Sequence, residues 1–110
     1  MAAQRKILII RPDGANEIVD RASKKGEYEQ LKTLVEGYIE RVEFEIPMEN
    51  GKFYVRECFV NEEGRIHNLR RNAKASFLYG YSDICGVCVV ILRKGDQPHK
   101  KFFKLEESVS

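Results

Sequence analysis

A basic patch in the middle of the chain contains the residues best suited to chemistry, and that chemistry is phosphate binding. The patch follows a glycine turn, precedes a predicted helix start, and consists of Arg65, His67, Arg70, Arg71 and Lys74. Helix N-termini with nearby arginines suit phosphate groups, because both supply convergent N–H donors. Tyr79 and Tyr81 would add rings on which a base can stack. We predict a ligand site formed by the patch and Tyr79; the alternative is ordinary scattered surface charge.

The three cysteines favour a structural role over a metal or redox role. Cys85 and Cys88 have C-x-x-C spacing, but residues three apart in a strand point to opposite faces. A closed zinc site needs four ligands, and the remaining candidates, Cys58, His67 and His99, follow no recognised spacing. We therefore expect the cysteines to be small buried apolar residues, with no metal and no cofactor.

The other residues capable of catalysis do not form an assembled set. Glu62 and Glu63 are adjacent and would diverge, whereas glycosidase chemistry needs two carboxylates facing each other across a substrate. His67 is a candidate general base, but no nucleophile is placed by sequence to partner it. The sequence predicts that the protein is not an enzyme.

Composition indicates an ordinary globular domain without a strong overall charge. The chain has 110 residues, of which 43% are hydrophobic and 33% charged, and its formal net charge is +2. Such a charge provides no global attraction to nucleic acid or membrane, so any such binding must be local. The odd number of cysteines and the lack of an apolar N-terminal segment predict an intracellular protein, and no run is long enough to span a membrane.

The first part of the chain predicts a strand followed by the main helix. Residues 6–11 are β-branched and apolar on both faces, which predicts a strand interior to the sheet, stopped by a Pro-Asp-Gly turn. Residues 23–36 carry apolar side chains at spacings of three and four, which is typical of an amphipathic helix. Gly37 is predicted to close this helix in the left-handed conformation, and Asn16 or Ser23 to cap its start.

The middle of the chain predicts two hairpins. Alternating apolar residues over 42–46 indicate a strand, and Asn50-Gly51 indicates a tight turn into a third strand over 52–60. A second turn is predicted to place Gly64 in the left-handed conformation, and a short strand over 65–69 to pair back.

The last part predicts a short helix, an interior strand and a tail. Asn72 is suited to cap a helix over 73–79 that Gly80 ends, and residues 84–93 are apolar on both faces. Together these elements predict an α+β fold: a single compact domain over residues 1–94, with a mixed or mostly antiparallel sheet of about four or five strands. The main helix would pack on one face of the sheet, and residues 95–110 would be a charged, flexible tail.

Three short motifs, in this order, carry a resemblance to a known family. They are Gly-Tyr-Ile-Glu at residues 37–40, Asn-Glu-Glu-Gly at 61–64 and Leu-x-x-Asn-x-x-Ala at 69–75. With Ile-Cys-Gly-Val at 84–87, they resemble a small domain family of unknown function found in bacteria, phages and other mobile elements, and large DNA viruses. The family pattern often has proline after the leucine, where this chain has Arg70. The resemblance implies an accessory protein of a virus or mobile element, inside the host cell, and implies no catalytic residues.

Two hypotheses for function follow. The first is a non-enzymatic binding protein that engages a phosphate-bearing ligand, a nucleotide or nucleic acid, through the basic patch. The second is a protein-interaction or inhibitor module that binds a host protein or forms a homodimer. It would act through an open sheet edge or through the aromatic residues Phe102 and Phe103.

Overall fold

A five-stranded antiparallel sheet forms the centre of the computed structural model, which describes residues 5–105. Its strands are β1 (Lys6–Ile10), β2 (Glu17–Asp20), β3 (Ile39–Pro47), β4 (Phe53–Asn61) and β5 (Cys88–Ile91). They lie in the order β2-β1-β5-β4-β3, and every neighbouring pair is antiparallel. The predicted α+β class and mostly antiparallel sheet are therefore confirmed.

Three helices cover the two faces of the sheet. They are α1 (Glu27–Val35), α2 (Ala73–Tyr79) and α3 (Lys100–Phe103). On one face Leu31 and Val35 of α1 pack against the sheet, and on the other Ala75 of α2 and Phe103 of α3 do so. None of the helices within residues 5–105 has the length and apolar character needed to cross a bilayer.

The alternating faces of β1 explain why it lies inside the sheet. Ile7 and Ile9 face α1, while Leu8 and Ile10 face α2 and α3, and all four side chains are buried. A strand that is apolar on both faces is stable only where both faces are covered. The predicted interior position is confirmed, since β1 lies between β2 and β5.

Two of the predicted strands differ from the structure, and one of them contains Arg65 and His67 of the predicted ligand site. Residues 65–69 form turns, not a strand, and Ile66 is 75% exposed, so no apolar face is available to pair back on β4. The predicted strand over 84–93 is reduced to Cys88–Ile91. The second hairpin is instead formed by β1 and β2, and β2 was not predicted.

The ends of the main helix also differ from the prediction. The helix begins at Glu27, with Gly26 at its N-cap and no side chain capping it, so neither Asn16 nor Ser23 has that role. At the other end Glu36, with φ of 61°, takes the left-handed conformation predicted for Gly37. Gly37 is needed for space, because a Cβ there would lie 2.7 Å from Nδ2 of Asn61.

The segment predicted to be a flexible tail is part of the fold as far as residue 105. Phe103 is fully buried against the sheet, and His99 caps α3 by accepting a hydrogen bond from the Phe102 amide at 3.1 Å. Residues 106–110 of the predicted tail, and residues 1–4 of the predicted domain, lie outside the described residues. The aromatic pair therefore belongs to the core and its margin.

Gly64 provides a test of close packing in the turn after β4. Its φ is not positive, contrary to the prediction, but a Cβ there would lie only 2.4 Å from the carbonyl oxygen of Cys85. We expect Gly64→Ala to lower the free energy of unfolding by about 2 kcal/mol, because the backbone must shift to remove the clash. Urea unfolding followed by circular dichroism measures this. Gly26→Ala is the control, since its Cβ would meet only Ala22 at 3.7 Å, and an equal loss in both variants would contradict the argument.

Candidate functional site

Asn61, a polar residue of the second resemblance motif, stabilises the fold. Asn61 is buried, and its Nδ2 donates to the carbonyls of Val35 and Glu36 at 3.0 and 3.3 Å. Its Oδ1 accepts from the Glu63 amide at 2.7 Å. Asn61 thereby fastens the end of α1 to the end of β4. These contacts account for the asparagine without a ligand.

The structure divides the predicted ligand site between separate places. Arg65 and Tyr79 line one pocket of about 450 Å³. Arg71 is exposed and pairs with Asp83 at 3.0 Å. His67 and Arg70 are exposed and lie outside this pocket. Lys74 lies in a different groove.

The Arg65 pocket has the wrong charge for phosphate. Besides Arg65 it is lined by four carboxylates, those of Glu40, Glu62, Glu63 and Asp83. An excess of carboxylates repels an anion at this range. Within residues 5–105, no group of three or more histidine, cysteine, aspartate or glutamate side chains is placed to hold a metal ion. Neither a phosphate site nor a metal centre is built here.

Lys74 instead contributes to a groove of about 400 Å³ between the β1–β2 turn, α2 and α3, which we call the turn–helix groove. The charged and aromatic residues that line it are Arg11, Asp13, Lys74, Phe77, Phe102 and Lys104. Cations therefore exceed carboxylates by three to one among these six residues. The groove also has two aromatic rings, so it combines positive charge with apolar surface.

The ammonium of Lys74 is held in place beside a second cation. It donates a hydrogen bond to the Phe102 carbonyl, and its Nζ lies 4.7 Å from the centre of the Phe102 ring. Burial lowers the pKa of Lys74, and the nearby charge of Lys104 lowers it further. Both causes disfavour the charged lysine, and the attraction of an anion bound near the two amines would offset both.

The wall of the groove opposite α2 is fixed by hydrogen bonds. Arg11 pairs with Glu17 at 2.6 Å and donates to the Ala15 carbonyl at 2.8 Å. Asn16 accepts from the Arg11 amide at 2.8 Å and donates to the Phe103 carbonyl at 2.9 Å. The β1–β2 turn is thus tied directly to α3, which makes the groove preformed.

The two phenylalanines of the groove differ in exposure. Phe102 is partly buried and stacks edge-on against Phe103, with ring centroids 4.9 Å apart. Phe77 is 75% exposed, although α2 has buried positions for apolar side chains. A large exposed aromatic ring beside cations is typical of a surface on which bases stack.

Sequence reasoning named Lys74, and it named Phe102 for a different role, but it missed Arg11, Phe77 and Lys104. These three residues come from the three separate segments that form the groove. The one signal in the sequence was the position of Phe77, three residues after Lys74 in the predicted helix, which places both side chains on one helix face.

The cysteines are placed as small apolar residues. Cys58 and Cys88 are fully buried in one core cluster, and Cys85 is half-buried. The neighbouring Cys58 thiol, together with burial, raises the pKa of the Cys88 thiol well above its ordinary value. A thiol of raised pKa is a poor nucleophile.

Comparison with protein-family models, with curated proteins and with solved structures finds no match to this chain. The resemblance to a domain family of unknown function therefore stays a prediction. The turn–helix groove is therefore the feature from which a function can be proposed.

Proposed function

We propose that this chain is a non-enzymatic binding protein that holds a phosphate-bearing ligand, a nucleotide or nucleic acid, in the turn–helix groove. The observation that carries the proposal is the pair of lysines at its rim. Lys74 is partly buried beside Lys104, and within residues 5–105 neither amine has a carboxylate within ion-pair distance. A phosphate between them would gain charge-assisted hydrogen bonds from both.

The rings provide the second part of the recognition. A base or similar flat group can stack on Phe77 while its phosphate lies near the lysines, and each such stack strengthens binding by about 1–3 kcal/mol. A volume of about 400 Å³ lies within the range of small-molecule sites. The setting in a virus or mobile element, which the resemblance implies, is part of this proposal.

A protein-interaction module is less well supported by the same structure. Phe103 is fully buried in the chain's own core, which leaves the two edge strands of the sheet, β2 and β3, for such a module. Both edges carry exposed charged side chains, those of Glu17 and Asp20 on β2 and of Arg41, Glu43 and Glu45 on β3. Charged side chains along an edge strand oppose pairing with another chain.

The test compares two double variants in the binding of thymidine 5′-monophosphate, measured by calorimetry. We expect Lys74→Gln with Lys104→Gln to weaken binding by about tenfold or more, since two charged donors are lost. Glutamine keeps an N–H donor at position 74, so the groove should retain its shape.

The matched control is Arg70→Gln with Arg71→Gln, which removes the same charge from the patch that the sequence alone predicts. We expect the control to bind nearly as well as the parent protein. Loss of binding in the control alone would place the ligand at the patch and contradict the groove proposal. Absence of binding by the parent protein would contradict it as well.

A further inference from the structure

A second depression adjoins the turn–helix groove. Its volume is about 950 Å³, and it lies between the β1–β2 turn, the β3–β4 turn and α3. The two concavities share lining residues, among them Arg11, Asn16 and Lys104. Arg11 and Lys104 therefore stand on the ridge that separates them, with a recess on each side.

The two recesses differ in chemistry. The turn–helix groove has the rings of Phe77 and Phe102, whereas the second depression has no aromatic ring among its described lining residues and mixes polar side chains such as Glu49, Gln97 and Lys100 with apolar ones such as Ile18 and Leu105. A recess of mixed polarity suits a sugar or the hydrogen-bonding edge of a base, and an aromatic recess suits the face of a base.

The carboxylates in the second depression are engaged by protein donors. Asp96 is paired with Arg56 at 2.7 Å, and Glu17 with Arg11 at 2.6 Å. Glu49 accepts from the backbone amide of Lys100 at 2.6 Å. These interactions offset much of the negative charge that an anionic ligand would meet near the ridge.

We propose that the ligand is a single-stranded oligonucleotide, with two consecutive nucleotides occupying the two recesses and their linking phosphate on the ridge at Arg11 and Lys104. This inference rests on the proposed function and deepens it. Lys104 supplies the positive charge on the ridge that no described carboxylate pairs with, while Arg11, whose charge is partly offset by Glu17, can offer its remaining N–H donors to the phosphate. The aromatic recess matches a base that is unpaired. A duplex keeps its base faces stacked within the helix and cannot offer one to Phe77.

Chain length is the variable that tests the inference. Affinities are measured for thymidine 5′-monophosphate and for oligothymidylates of two and four nucleotides, at one fixed salt concentration. We expect binding to strengthen about tenfold from one to two nucleotides, because the second recess becomes filled, and to change little from two to four.

The outcomes separate this inference from the proposed function. Equal affinity for one and two nucleotides would overturn the inference and leave the groove as a mononucleotide site. Binding of none of the three probes would overturn both. Binding that keeps strengthening steeply from two to four nucleotides would overturn the two-recess geometry.

Two neighbouring lysines of α3 give a matched pair of variants. Lys100 lines the second depression, while Lys101 is exposed and lines neither recess. We expect Lys100→Ala to weaken binding of the dinucleotide several-fold while leaving the mononucleotide unaffected, and Lys101→Ala to change neither. Equal effects of the two substitutions on the dinucleotide would overturn the placement of the second nucleotide.

Discussion

Replacing Asn72 with aspartate is expected to lower the free energy of unfolding by about 4 kcal/mol or more at neutral pH. Asn72 is fully buried, and its Nδ2 donates to the carbonyls of Ile10 and Gly86 at 2.8 and 3.0 Å. Its Oδ1 accepts from the Ala75 amide at 3.1 Å, which caps α2. Aspartate keeps the cap but turns a double donor into an anion facing two carbonyl oxygens.

The stability lost in the Asn72→Asp variant should depend on pH and should be smallest in acid. Burial and the two facing carbonyl oxygens raise the pKa of the new carboxyl in the folded state and outweigh the one donor that remains, the Ala75 amide; a protonated carboxyl can donate to one of the two carbonyls. The folded state then binds the proton more tightly than the unfolded state does. Stability relative to the parent protein should therefore be greatest in acid and fall as pH rises through the raised pKa.

Urea unfolding of variant and parent at pH 4 and pH 7 measures this difference. The matched control is Asn68→Asp, the same chemical change at an exposed residue. Its φ of 55° lies in the left-handed region, which aspartate also tolerates, so we expect a loss below about 0.5 kcal/mol. Equal losses in the two variants, or a loss independent of pH at position 72, would contradict the argument.

Asn72 also illustrates which parts of the fold the sequence could predict. Its role as a cap was predicted correctly, as were the bounds of α2 and its end at Gly80, because a helix cap is determined within a few residues. The turn between β3 and β4 was predicted for the same reason. The two carbonyls that Asn72 binds lie 62 and 14 residues away, and no local pattern reveals them.

Elements that depend on distant partners were missed. The strand β2 is short, charged and mostly exposed, and only its pairing with β1 makes it a strand. Residues 65–69 resembled a strand locally but have no neighbouring strand to pair with. Burial of Phe103 against the sheet likewise joins α3, near the end of the described residues, to β1, near their start.

The candidate site depends on distant partners in the same way. The basic patch was predicted from proximity in sequence, but the chain directs Arg65 into an acidic pocket and Lys74 into the turn–helix groove. The groove brings residues 11, 74 and 104 together because Asn16 ties the β1–β2 turn to the Phe103 carbonyl and Lys74 ties α2 to the Phe102 carbonyl. Sequence alone singled out Lys74 as a candidate ligand residue but did not identify its neighbours in the groove.

The ion pair between Arg56 and Asp96 should make the largest electrostatic contribution to stability within residues 5–105. The two carboxylate oxygens accept from Nε and Nη2 of Arg56 at 2.7 and 2.8 Å, and both side chains are about nine-tenths buried. Asp96 also accepts from the Arg93 amide at 2.8 Å. We expect Asp96→Asn to lower the free energy of unfolding by about 3 kcal/mol at neutral pH, because the guanidinium is left buried without its counter-charge.

The matched control for this prediction is Asp83→Asn. Asp83 also pairs with an arginine, Arg71, at 3.0 Å, but both side chains are more than half exposed. An exposed pair contributes less than about 1 kcal/mol, since water and salt screen it. Similar losses in the two variants would show that burial does not strengthen the Arg56–Asp96 pair.

The effect of pH on the parent protein follows from the same carboxylate. Burial raises the pKa of Asp96, but the hydrogen bonds from Arg56 and from the Arg93 amide outweigh burial, and the net pKa is lowered. A depressed pKa in the folded state means that the unfolded state takes up the proton first. The contribution of the pair is complete above the unfolded pKa, about 3.9, and is lost as pH falls through the lower folded pKa. The stability difference between parent and Asp96→Asn should therefore be constant from pH 7 to pH 5 and shrink below pH 4, because the parent loses the contribution of the pair. The deficit of Asn72→Asp also shrinks in acid, but there because the variant gains stability when its buried carboxyl is protonated.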